Sequence, residues 1–148
     1  GENRDENPVG DFRTLTRQGA FRMYNFERTC DMVNAYVKEH GRKTEMGRGE
    51  FIEWVHEKYE NISVEKNNLY PTDISFNLYN NGLKDFPGPC LCLMYVFEND
   101  KFRLVGTDYK PTCNVIQYKG RRNEQVVGKW NNGIFSFLPT PIPTEKMN

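Results

Sequence analysis

Five groups of side chains in this 148-residue chain could do chemistry. Asp85, Glu98, Asp100 and Lys101 are the set whose carboxylates and amine could converge at strand ends, as a metal-dependent nuclease or hydrolase requires. They look like a turn, however, because Asp and Asn belong in hairpin loops for conformational reasons. His40 and His56 fall at a helix end and on a helix face, and the sequence supplies neither with a Ser or Cys partner for a hydrolytic triad. Met46-Gly47-Arg48-Gly49-Glu50 has two glycines ahead of a helix but lacks the preceding strand and the lysine of a nucleotide loop. It reads as a turn whose N–H groups, with Arg48, could meet a phosphate.

Cys30, Cys90, Cys92 and Cys113 are the four cysteines. No Cys-x-x-Cys spacing joins them, and Cys90 and Cys92 are too close along one strand to bridge each other. All four read as reduced thiols in a cytoplasmic protein. No apolar run is long enough to cross a membrane, and no cofactor or metal is expected.

The fifth group is polar and uncharged. Thr72, Ser75, Asn77 and Asn80 lie in Pro71-Thr-Asp-Ile-Ser-Phe-Asn-Leu-Tyr-Asn80. Such side chains can bond base edges or phosphates without a strong preference of sign. The elements that would position them begin with a helix over Phe26 to His40, where Phe26, Cys30, Val33 and Val37 recur at four, three and four residues. Asn25 is its expected N-cap and Gly41 its stop. A second helix is expected over Arg48 to Glu60, from Phe51, Ile52, Val55 and Tyr59. Pro71 then suits the first turn of a short third helix, ended by Asn81-Gly82, with Ile74 and Leu78 toward the core.

Beyond the Pro-Gly loop at Phe86 to Pro89, the pattern becomes strand. Cys90 to Phe97 and Lys101 to Gly106 flank a hairpin loop, Cys113 to Tyr118 follows, and Gln125 to Trp130 pairs with Ile134 to Leu138 about Asn131-Asn132-Gly133. The expected fold is therefore α+β. Three N-terminal helices in a winged helix-turn-helix-like order precede a small antiparallel sheet of hairpins. Residues 1–24 read as a tail or arm, 25–138 as one domain and 139–148 as an extended exit.

In a winged helix the third helix enters the groove of double-stranded DNA. Arg42, Lys43 and Arg48 on one side, and Lys119, Arg121 and Arg122 on the other, would then hold the backbone. Charge weighs against this reading, because twenty Lys+Arg face twenty Asp+Glu. Aromatic residues are plentiful, and most belong in a core. Tyr109, Tyr118 and Trp130 could instead stack the bases of a single strand or hold a flipped base. A protein-interaction adaptor is a further alternative that suits the neutral balance.

Leu69 to Gly82, followed by Phe102-Arg-Leu-Val-Gly-Thr-Asp-Tyr109, resembles a bacterial domain associated with restriction-type systems. Pro71, Asp73, Asn77 and Asn80 carry the resemblance, which covers about Phe26 to Tyr118. It implies a DNA-recognition module of a restriction or defence system, without catalytic activity of its own, that accompanies a nuclease domain or subunit carried elsewhere.

Overall fold

The chain was analysed as a computed structural model, which describes residues 17–58, 70–79, 86–87, 90–117 and 124–144, the side chains of 17–24 excepted. Helix α1 (Arg17–His40) is followed by β1 (Glu45–Met46) and α2 (Arg48–Lys58). A four-residue 3-10 turn (Pro71–Ile74) leads into β2 (Leu78–Tyr79). Five strands complete the chain: β3 (Leu93–Val96), β4 (Lys101–Leu104), β5 (Cys113–Gln117), β6 (Gln125–Asn131) and β7 (Ile134–Pro143).

The described residues thus hold two α-helices and seven strands in two sheets, which overturns the three-helix, winged-helix expectation. One sheet has the order β1-β4-β3 and the other β2-β5-β6-β7. β2 runs parallel to β5, while the remaining ladders are antiparallel. The error lies in the segment expected to be the third helix. Ile74 and Leu78 are four residues apart, a spacing that fits one face of a helix and also one face of a strand. The segment is instead a 3-10 turn, a single bridge at Ser75, a turn at Phe76 and Asn77 and the two-residue β2, with every residue from Asp73 to Leu78 buried. Ile74 and Leu78 enter one core with α1, α2 and the first sheet, whereas Phe76 enters a second core with Phe86, Val115, Val127 and Trp130.

Main-chain bonds make this segment a seam between the sheets. Phe76 N–H donates to Leu93 O at 2.8 Å, and Cys92 N–H to Ile74 O at 2.9 Å. On the other side Ile116 N–H donates to Asn77 O at 3.0 Å, and Trp130 Nε1–H to Phe76 O at 2.8 Å.

Helix α1 buries Phe26, Cys30 and Val33 at the expected spacing, and Gly41 ends it with a φ of 86° and an N–H bond to Val37 O. Its start differs. The helix already runs from Arg17, so Asn25 is an interior, buried residue whose carbonyl accepts the Thr29 hydroxyl, and not an N-cap. The β6–β7 turn forms where Asn-Gly requires it, with Asn132 and Gly133 both at positive φ. β7 then continues through Pro139, Pro141 and Pro143, which the sequence reading placed in an exit tail. Proline is tolerated there because β7 is the sheet's edge.

Cys30 and Cys90, 60 residues apart, form a disulfide that joins α1 to the approach of β3. The expectation of four reduced thiols fails here, since it weighed only cysteines adjacent in sequence. Cys92 and Cys113 are free. No helix among the described residues is long and apolar enough to cross a membrane.

Candidate functional site

The polar residues expected to read DNA are mostly structural. Ser75 is fully buried, and its hydroxyl donates to Pro71 O at 2.9 Å. Asn77 is also buried and behaves like a piece of strand. Its Nδ2 donates to Tyr95 O at 2.8 Å, while its Oδ1 accepts Tyr95 N–H at 2.9 Å, which satisfies the outer edge of β3. Thr72 is half-buried. These three therefore do not form an open reading face. Asn80 lies outside the described residues, as do Tyr118, Lys119, Arg121 and Arg122, and so does Asp85 of the acidic set.

The basic group between the helices is exposed, but its members are differently engaged. Arg42 donates from Nε to Val105 O at 2.8 Å and pairs through Nη2 with Asp108 at 3.0 Å. Its guanidinium also lies 6.0 Å from the centre of the Tyr109 ring. Arg48 sits over Tyr70 at 5.4 Å. Lys43 is exposed and has no ion-pair partner among the described residues.

The acidic hairpin is a turn. Asp100 takes a positive φ of 53° and accepts the Tyr95 hydroxyl, and Asn99 bonds Glu45. Among the described residues no three His, Cys, Asp or Glu side chains converge as metal ligands would. His40 stacks on Tyr36, and His56 holds a buried Nε2 that has no partner among the described residues.

What the fold does assemble is an open cavity of about 610 Å³ between α1, the approach to β3, the β4–β5 connection and the β6–β7 turn. Glu27, Asp31 and Asn34 lie along one face of α1 at spacings of four and three residues, and all three line it. Thr107, Asp108, Tyr109 and Lys110 of the β4–β5 connection line it as well. Phe76 and Trp130 form the aromatic floor, with the Cys30–Cys90 disulfide beside them.

The walls are fixed by specific bonds. Asn34 donates from Nδ2 to Thr107 Oγ1 at 2.9 Å and accepts Thr107 N–H at 2.8 Å, which ties α1 to the connection. Gly106 is required at that junction: its φ is 89°, and a Cβ would stand 3.2 Å from Asn34 Oδ1. Phe76 packs edge-on against Trp130 at 5.3 Å and against Tyr109 at 5.9 Å. Trp130 is buried and its indole N–H is committed, so it serves as floor; Tyr109 is half-buried and presents part of its ring.

Glu27 and Asp31 are exposed at the mouth and have no hydrogen-bond or ion-pair partner among the described residues. Of the expected base-stacking residues, the structure brings Tyr109 and Trp130 to this one cavity. Sequence reasoning missed Glu27, Asp31, Asn34 and Lys110. The two carboxylates had a signal, an i, i+4 pair on the polar side of α1, but the residues of the β4–β5 connection that share the lining come more than seventy positions later.

Residues 26–137 match the family model described as a domain of unknown function (DUF7225), about three quarters of the chain. No curated protein and no solved structure matches it. With the strands up to the first part of β7, the seam and the whole cavity lining inside the matched span, the chain belongs to the DUF7225 family.

Proposed function

We propose that this chain is a DNA-recognition module that takes an unstacked base of a duplex into the cavity between α1 and the β4–β5 connection. The observation that carries the proposal is the convergence, in one open cavity, of a half-exposed Tyr109 ring with carboxylates that have no partner among the described residues. Bases lifted from a stack are held in this way, by an aromatic face on one side and by acceptors and donors along the hydrogen-bonding edge. Arg42, which contacts Asp108 and Tyr109 of the lining, is placed to meet a phosphate that flanks such a base. The even net charge fits a module that contacts few phosphates and draws its preference from the base. The resemblance of the Leu69–Gly82 stretch to restriction-associated domains makes a nuclease carried elsewhere its natural companion.

Fluorescence anisotropy tests the proposal with three labelled DNAs: a paired duplex, the same duplex with one mispaired or unpaired base, and the single strand. The mispaired duplex is expected to bind about tenfold tighter than the paired one, because less unpairing energy is required. Tyr109→Ala should weaken that binding by about 1–3 kcal/mol, the worth of one base–aromatic stack, and Tyr109→Phe should restore it. A slope of about −1 to −2 in log affinity against log salt is expected for one or two phosphate contacts. Equal affinity for paired and mispaired duplexes, or no binding at low salt, would overturn the proposal.

A further inference from the structure

The proposed base pocket has a polarity, and its polarity selects among bases. Glu27 and Asp31 offer only acceptors, and they stand on one face of α1 with no partner among the described residues. Lys110, also in the lining, is an exposed side chain that offers only donors. Asn34, the other polar side chain on that face of α1, spends its amide on Thr107 and has little left for a ligand.

Resting on the reading of the cavity as a base pocket, we infer that the base it takes is guanine, with Asp31 and Glu27 as the specificity-determining residues. Guanine alone of the four bases places two adjacent donors, N1–H and the N2 amino group, along its pairing edge. A carboxylate answers both at once with its two oxygens. The same base carries O6, an acceptor next to N1–H, which suits the ammonium of Lys110 in the same lining. Adenine and cytosine each show an acceptor nitrogen beside their single amino group, and a carboxylate oxygen facing it would be repelled. Thymine presents one N–H between two carbonyl oxygens, which leaves one carboxylate oxygen opposed to a like group. Discrimination of this kind comes from polar groups left unpaired by the wrong base.

Four duplexes identical except for one unpaired G, A, C or T provide the test, with a fifth carrying unpaired inosine, which keeps N1–H and lacks the N2 amino group. Guanine is expected to bind about tenfold or more tighter than the other three natural bases, with inosine between. Asp31→Asn and Glu27→Gln, both at exposed positions, should remove most of the preference by weakening guanine and tightening adenine and cytosine, whose acceptor nitrogen an amide N–H can meet, while leaving the chain's unfolding midpoint unchanged. Equal binding of all four unpaired bases, with Tyr109→Ala still weakening each of them, would overturn the guanine assignment and leave the base pocket standing. Loss of all binding would remove both. A preference for guanine that persists in the Asp31→Asn, Glu27→Gln double variant would also overturn the assignment of these residues.

Discussion

Replacing Asn77 separates a reading residue from a structural one more sharply than any other change. Its side-chain amide makes two bonds to the Tyr95 main chain, one as donor and one as acceptor, and the residue is 5% exposed. Asn77→Ala removes both and leaves an N–H and a C=O of β3 without those partners. An unsatisfied buried group costs about 1–3 kcal/mol, and these bonds are only part-buried, so a loss of about 2–4 kcal/mol is expected. With a urea slope of about 1–3 kcal/mol per molar, the unfolding midpoint should fall by about 1–2 M at unchanged slope. Thr72→Ala is the matched control, since the Thr72 side chain has no hydrogen-bond partner among the described residues; a change within about 0.5 kcal/mol is expected. Equilibrium urea unfolding followed by tryptophan fluorescence reads both, as Trp130 sits in the second core and Trp54 against the first. If Asn77→Ala unfolds at the wild-type midpoint, its amide does not hold β3, and the seam account of residues 74–79 is refuted.

Two further perturbations address the cysteines. The Cys30–Cys90 bridge closes 60 residues of chain, for which the loop-entropy relation gives about 4 kcal/mol. Reductant should therefore lower the unfolding midpoint of the wild type and leave that of Cys30→Ser unchanged; equal midpoints with and without reductant would refute the contribution. Partial burial pushes the Cys113 thiol up to about 11, and complete burial raises Cys92 still further. A raised value means less thiolate at a given pH. Modification of native Cys113 by an aromatic disulfide reagent should thus be about a hundredfold slower at pH 8 than for a thiol of ordinary value, and should rise about tenfold per pH unit until it levels near pH 11. A plateau near pH 9 would show that the thiol is solvated. Cys92 should react only on unfolding.

Both α-helices and both hairpin turns were legible because they depend on local physics. The 3.6-residue period of Phe26, Cys30 and Val33 survives folding unchanged, as does the demand of the β6–β7 turn for two residues at positive φ. The segment from Pro71 to Tyr79 was misread for an equally physical reason. Pro71 opens a turn of 3-10 helix as readily as an α-helix, and spacing alone does not separate a short helix from a buried turn that leads into a strand. The prolines of β7 misled in the opposite sense, since they exclude a central strand but not an edge.

Sequence by itself determined the helices, the tight turns, the aromatic supply of the two cores and the presence of Tyr109 and Trp130 as stacking candidates. Only the tertiary structure decided which polar residues are available to a ligand. It turned Ser75 and Asn77 inward to satisfy main-chain groups, joined Cys30 to Cys90, and brought Glu27, Asp31, Tyr109 and Lys110 into the lining of one cavity. The physical reason is that burial and pairing arise between segments distant in sequence. A hydrogen-bonding side chain is free or committed according to what another part of the chain leaves unsatisfied beside it, and that no local pattern records.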